Sequence, residues 1–349
     1  MTTDAPGAGA PRAVTMKDVA DLAEVSVATV SLVVNGKKRD RIGEKTRSRV
    51  LKAVAELGYR PNVLAQSLVS GQSRFIGMVA DSIATLPFAG QILRGAQEEA
   101  WRNGYVLLVA DTGDRPDAVE NAIDMMADHQ AVGILYSTWY HREVEPTARL
   151  RTLPTVFVNC FSSDPTDSSI VPDEVQGGYL ATRLLLDRGH RRIVFINSTE
   201  DAPSTVGRLA GFRTALGVEG IPEDEDSVVD IYPERTGGFQ EAGFLAASDI
   251  LDRADRPTAV FCYNDRTAMG VYEAAKERGL RIPEDLAVIG FDDQEVISAH
   301  LRPGLTTIAL PHYEIGVRGV RTLLSRIERG ETERGVEKVD CPPVLRRSI

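Results

Sequence analysis

The apolar positions of this chain follow two different periods. Between Thr15 and Gly58 they recur at helical spacing in short bursts. Val19, Ala20, Leu22 and Ala23 follow Thr15, whose hydroxyl suits an N-cap. After a break at 23–26, Ser26 offers a second cap, and Val30, Val33 and Val34 share one face of the helix it opens. Asn35-Gly36 closes that helix, because both residues tolerate the left-handed backbone of a helix end. A third helix from Glu44 to Leu57 carries Val50, Leu51, Val54 and Leu57 on one stripe and ends at Gly58. Three short helices with a tight link between the first two predict an all-α helix-turn-helix headpiece over 14–60. The Pro/Gly/Ala tail at 1–13 is expected to be disordered.

From Phe75 the pattern changes to short apolar runs alternating with amphipathic stretches. FIGMVA, YVLLVA, VGILY and TVFVN predict strands, with helices near 90–103, 115–129 and 142–151. After Asp173 the alternation resumes with RIVFIN, SVVDIY, TAVFCY and LAVIGF, and helices near 174–188, 204–217, 237–252 and 265–279. Continuous Val/Ile-rich strands joined by helices make parallel βαβ units. Two successive sets predict an α/β core of two doubly wound lobes over 74–349, with ligand chemistry at the C-terminal ends of the strands.

Charge separates the two regions. The whole chain carries a formal net charge of −10, which taken alone argues against a nucleic-acid partner. Residues 1–73 hold 11 Lys/Arg against 7 Asp/Glu, a net of +4, leaving −14 on the remainder. A basic headpiece and an acidic core are modules with different partners. Between them, 61–73 contains no charged residue and reads as a connector.

Composition excludes several classes. Cys160, Cys262 and Cys341 are odd in number and far apart, which fits a reducing cytoplasm better than a disulfide framework. No apolar run approaches the length of a membrane span, and the first dozen residues lack the apolar core of a signal peptide. There is no G-x-S-x-G, Walker A, H-E-x-x-H or C-x-x-C motif, and the five histidines (129, 141, 190, 300, 312) show no ligand spacing. No catalysis, cofactor or metal is expected.

The residues themselves go further. TMKDVADLAEVSVATVSLVVNG, then KTRSRVLKAVAELGYRPN and AQSLVSG, resemble the DNA-binding headpiece and hinge of the lactose/galactose-repressor (LacI/GalR) family. RGHRRI, GRLAGF, YNDRTAMG, VIGFDD and RPGLTTI stand in the order of that family's periplasmic-binding-protein-like core, so the resemblance spans about 14–347. It implies a homodimeric transcriptional regulator, in all expectation a repressor. Such a regulator binds a pseudo-palindromic double-stranded operator and responds to a small ligand held between two lobes.

The resemblance also assigns residues. Ser26 opens the recognition helix, placing Val27, Ala28 and Leu32 at base edges in the major groove. Thr15, Thr29, Ser31 and Asn35 match phosphate-contacting positions, and Lys37, Lys38 and Arg39 extend them in a loop about two residues longer than the family's usual one. In the hinge, Asn62 and Ala65 join the DNA contacts, and Leu68 matches the leucine that wedges into the minor groove at the operator centre. Leu32 stands where the family often has Arg, so the operator core should differ from the most familiar one. In the core, Asp81, Thr85, Phe88, Ser137, Trp139, Asn159, Arg208, Tyr232, Asn264 and Asp292 become ligand contacts at strand ends. A carboxylate, an amide and a guanidinium beside aromatic rings suit a carbohydrate. Leu310 replaces the Gln common at its place in the family. Family order puts the N-lobe at 74–172 and 303–331 and the C-lobe at 173–302 and 332–345. The alternatives are control by a purine or a protein corepressor, a solute-binding protein, or an enzyme on the same lobes. The extra headpiece counts against the second, the missing motifs against the third. With no heptad tail in the sequence, a coiled-coil tetramer is not expected.

Overall fold

Thr15 and Ser26 both cap the helices that follow them. The computed structural model describes residues 14–34, 42–59, 74–83, 89–113, 115–224, 226–330 and 334–349. It divides into two compact units, 1–73 and 74–349. In the first, α1 (Met16–Ala23), α2 (Val27–Val34) and α3 (Glu44–Leu57) occupy the expected places. Asp18 accepts from the Thr15 backbone N–H at 2.7 Å and returns its own N–H to Thr15 Oγ1 at 3.3 Å, a closed capping box. Ser26 Oγ accepts from the Thr29 N–H at 3.2 Å. Val19, Ala20, Ala23, Val30, Val33, Val50, Ala53 and Tyr59 form the core of this unit. Leu51 departs from the predicted stripe: it is 46% exposed, and Ala53 takes the buried place beside Val50. The helix turns Leu51 one step past the interface.

The second unit contains two six-stranded sheets. The first lobe is built on β1 (Phe75–Ala80), β2 (Val106–Asp111), β3 (Ile134–Glu143), β4 (Thr155–Phe161) and β5 (Ser168–Pro172). These are flanked by α4 (Gly90–Arg102) and α5 (Pro116–Asp128). The second lobe has β6 (Ile193–Ser198), β7 (Val228–Ile231), β8 (Ala259–Cys262), β9 (Ala287–Asp292) and β10 (Thr306–Ala309). Its helices are α6 (Glu174–Leu186), α7 (Pro203–Val218), α8 (Pro233–Thr236), α9 (Phe239–Leu251), α10 (Asp265–Glu277) and α11 (Glu295–Ser298). The chain then returns to the first lobe through α12 (His312–Arg329) and β11 (Gly335–Val339), and ends in the second with β12 (Pro343–Val344). Strand orders are β11-β5-β4-β3-β1-β2 and β12-β10-β9-β8-β6-β7. All pairs are parallel except β10 with β12. Apolar clusters fill both faces of each sheet, which is why the strands read as continuous hydrophobic runs.

Three expectations are corrected. The helix predicted near 142–151 is instead the end of β3, a loop and a 3-10 turn at Leu150–Thr152. Pairing with β4 shifts register between Ser137 and Arg142 and resumes at Arg142↔Cys160, so the polar run WYHRE remains extended. The second crossing lies near 310, not 303, because Thr306 pairs with Ile289 and keeps LTTI in the second sheet. The third lies near 341, not 331, because Gly335–Val339 pairs with β5 of the first sheet. The first crossing falls at Asp173, as expected.

All three cysteines are buried free thiols. Among the described residues, no helix is long and apolar enough to cross a membrane, and no group of His, Cys, Asp and Glu could hold a metal ion.

Candidate functional site

In the first unit, α2 presents Val27 at 44% exposure, with Ala28 exposed and Ser31 and Leu32 half-buried, while Val30 and Val33 face the core. The outward set is apolar apart from Ser31. Such a face can meet a thymine methyl and cannot form bidentate bonds to guanine or adenine. Thr15 Oγ1 donates to Asp18 at 2.7 Å and Ser26 Oγ lies 2.9 Å from Thr29 Oγ1, so these hydroxyls already stabilise helix ends. Asn35, Lys37, Lys38, Arg39, Asn62, Ala65 and Leu68 lie outside the described residues.

In the second unit, a cavity of about 510 Å³ opens between the two lobes. The first lobe contributes Trp139, Tyr140 and His141 from the end of β3 and Asn159 from β4. The second contributes Glu174 from the first turn of α6, Arg208 from α7, Tyr263 and Asn264 after β8, and Asp292 at the end of β9. Leu310 and His312 line it at the second crossing, so Leu310 faces the cavity as an apolar side chain. Asn159 (φ 60°), inside β4, and Asp292 (φ 103°), at the end of β9, both hold positive-φ backbone, a conformation that accumulates at functional sites.

Arg208 is the centre of the network. Its side chain is nearly buried, with Nε donating to Glu174 Oε2 at 2.9 Å and one terminal nitrogen donating to Asp292 Oδ1 at 3.4 Å. The guanidinium also donates to the Tyr263 carbonyl and lies 3.7 Å over the Phe291 ring. Burial by itself would push Glu174 up, but Arg208 and the His141 imidazole overcome it and hold the carboxyl down to about 2. Asp292 goes the other way: burial pushes it up to about 6 against the pull of Arg208 and Gln294. Asn264 Oδ1 caps α10, accepting from the Thr267 N–H at 2.9 Å and hydroxyl at 3.0 Å, so its amide nitrogen is the half that can serve a ligand.

Of the residues expected to bind ligand, the structure brings Trp139, Asn159, Arg208, Asn264 and Asp292 to the cavity. Three others stand elsewhere. Asp81 is buried and spent on its own lobe, accepting from the Trp139 N–H at 2.7 Å and pairing with Arg142. Ser137 is buried and donates to the Val158 carbonyl at 3.1 Å. Tyr232 is exposed beside α8, with the Arg235 guanidinium 4.5 Å over its ring. Thr85 and Phe88 lie outside the described residues. Sequence reasoning missed His141 and Glu174, which meet across the cavity with Nδ1 and Oε1 3.5 Å apart. It also missed Tyr263, although that residue sits inside YNDRTAMG.

The sequence pattern of the lacI family of bacterial regulatory proteins matches 15–62, and that of the periplasmic binding protein-like domain matches 182–349. The chain is 34% identical over 337 residues to the HTH-type transcriptional repressor PurR of Vibrio atlanticus, covering 96% of this chain and 98% of the relative. To the ribose operon repressor of Haemophilus influenzae it is 33% identical, again over 96% and 98%. Among solved structures it is similar to the lac repressor dimer bound to operator and an anti-inducer, at TM-score 0.76 and 28% identity over 97% of this chain and 99% of that one. The transcriptional regulator CelR in complex with cellobiose matches at TM-score 0.65 and 28% identity over 96% and 100%. With headpiece, lobes and near-complete alignment in agreement, this chain belongs to the lacI family of bacterial regulatory proteins, DNA-binding transcriptional repressors under ligand control.

Proposed function

We propose that this protein acts as a cytoplasmic homodimer whose operator affinity is set by a small hydroxylated ligand in the inter-lobe cavity, and that it binds without catalysis. The observation that carries this reading is the buried Glu174–Arg208–Asp292 network at strand ends facing a cavity of ligand size. Arg208 donates and Asp292 accepts, which suits neighbouring hydroxyls. A ligand changes operator affinity only through different affinities for two lobe arrangements. Closing or rotating the lobes around these groups supplies that difference, and the hinge passes it to the headpiece. We assign base reading to Val27, Ala28 and Leu32, phosphate contact to the polar and basic positions around them, and the minor-groove wedge to Leu68.

Retardation of the protein's own promoter fragment in a gel tests the reading. The purified protein should shift it well above its nonspecific affinity, and Leu68→Ser should weaken that shift while leaving the cavity's thermal response to ligand intact. Equal affinity for promoter and unrelated DNA would overturn it.

A further inference from the structure

The charge of the cavity wall narrows the ligand class, an inference that rests on the ligand-binding reading above. Five carboxylates line the cavity: Glu174, Glu200, Asp201, Glu234 and Asp292. Against them stands one lining guanidinium, Arg208. Two more arginines approach from outside the lining, Arg235 at 3.4 Å from Glu234 and Arg266, whose field reaches Asp292. The balance stays negative even when both are counted.

These acids are placed at two depths. Glu174 and Asp292 are buried and share Arg208. Glu200, Asp201 and Glu234 are exposed at the second lobe's edge of the cavity. Partial desolvation at the cavity edge and the neighbouring Glu234 raise the pKa of Glu200, so these two carboxylates already repel each other. A cation between them would relieve that repulsion, and an anion would add to it.

His141, with only 9% of its side chain exposed, lines the cavity with its Nδ1 held 3.5 Å from Glu174 Oε1. Aromatic rings stand on both sides: Trp139 and Tyr140 from the first lobe, their centroids 4.7 Å apart, and Phe239 stacked on Tyr263 at 5.5 Å from the second. Ring faces carry negative potential and favour a cation that has left water.

We propose that the effector is a cation: a hydroxylated ring bearing a protonated amine. Its hydroxyls meet Arg208 and Asp292, its ring lies between the aromatic walls, and its ammonium faces Glu200, Asp201 and Glu234.

The test needs no knowledge of the natural ligand. Trp101 and Trp139 are the chain's two tryptophans, so Trp101→Phe leaves Trp139 as a reporter inside the cavity. With each ion's quenching divided by its quenching of free N-acetyltryptophanamide, caesium should exceed iodide by at least about fivefold, the factor by which one unit charge at about 4 Å enriches the cation even in bulk water, while it repels the anion. Neutral acrylamide is the reference for access. Glu200→Gln, Asp201→Asn and Glu234→Gln together should bring the two normalised values close to parity. Equal normalised quenching in the unaltered cavity, or a ratio the triple variant leaves unchanged, would overturn the proposal.

Melting temperature with hexoses, their 2-amino counterparts and their 6-phosphates gives the second readout. The amino sugars should produce the largest rise, and the triple variant should remove their advantage. A larger rise with the phosphates or neutral sugars overturns the cationic ligand but leaves ligand binding in the cavity standing. No rise with any of the three classes overturns the ligand-binding reading itself.

Discussion

Arg208 Nε donates to Glu174 Oε2 at 2.9 Å, with both side chains at most 5% exposed. This bond ties α7 to the first turn of α6, immediately after the chain has crossed from the first lobe at Asp173. Removing one partner of such a pair leaves an uncompensated buried charge, which costs about 3–5 kcal/mol, whereas removing both can be nearly neutral. Glu174→Gln should therefore lower the thermal midpoint of the core. Because Arg208 also serves Asp292, Arg208→Met should lower it further, and Arg208→Met combined with Glu174→Gln and Asp292→Asn should lower it less than Arg208→Met alone, although the combined variant will not respond to ligand. Additive losses in the melting curves would show that these charges do not depend on one another.

The position of Arg208 is set by backbone contact as well as by charge. A Cβ added at Gly178 on α6 would stand 2.3 Å from the Arg208 carbonyl oxygen and 2.7 Å from its Cα. The two helices approach so closely that no side chain fits there. Gly178→Ala should push α7 outward and move the guanidinium away from Asp292. The expected result is a weaker ligand response, by about tenfold or more for a displacement near 1 Å, with operator binding retained. An effector dose-response curve superimposable on that of the unaltered protein would contradict this coupling.

Much of this arrangement was legible in the sequence, where the signal is local. Thr15 and Ser26 name their helices by cap chemistry, and apart from β3, which runs on to Glu143, the Val/Ile-rich strands of both lobes stand within a residue or two of their expected places. The failures have physical causes. β5, the run SSIVP, is short and opens with two serines, so no apolar run marks it. α12, with its stripe of Ile315, Val320, Leu323 and Leu324, is not marked by periodicity, and its place in the first lobe is legible only from the family order that assigns 303–331 there. Spacing along the chain says nothing of that return. The site divides in the same way: Arg208, Asn264 and Asp292 sit in short motifs, whereas His141 and Glu174 meet only because the crossing at Asp173 brings two lobes together. Asp81 misled for the opposite reason. A strand-end carboxylate looks like a ligand contact until Arg142, presented by the extended end of β3, claims it.

Asp292 gives the core a pH dependence of definite sign. Its carboxyl is raised from 3.8 to about 6, chiefly by burial. Between those values the folded state holds a proton that the unfolded chain has lost, so Asp292's contribution to stability falls as pH rises through the interval and is constant above it. Glu174, lowered from 4.5 to about 2, adds stability that is complete above pH 4.5 and lost as pH falls toward 2. Asp292→Asn removes the first effect and spares the second. Relative to the unaltered protein, the variant should gain roughly 2–3 kcal/mol between pH 4 and pH 6.5 in denaturant titrations, following the size of the shift. Parallel stability curves for the two proteins across that interval would rule out a raised pKa at this residue.

The recognition helix makes the last prediction. Val27 and Ala28 are exposed, Leu32 is half-buried, and none of the three can donate or accept at a base edge. On the assignment proposed above, discrimination by this face comes from apolar contact with thymine methyls, and affinity from phosphate contacts of the basic residues of 1–73. Replacing thymine by uracil at the contacted operator positions should weaken specific binding by a few-fold per site and leave nonspecific binding unchanged. Leu32→Arg should do something different in kind: a guanidinium at that position can bond guanine O6 and N7, a contact worth about 1–3 kcal/mol of discrimination. Selection of operators from a randomised pool should accordingly move toward a guanine at one position in each half-site for the variant. An unchanged selected sequence would place Leu32 away from the bases. Raising salt should weaken binding steeply in both proteins, because the phosphate contacts are the same.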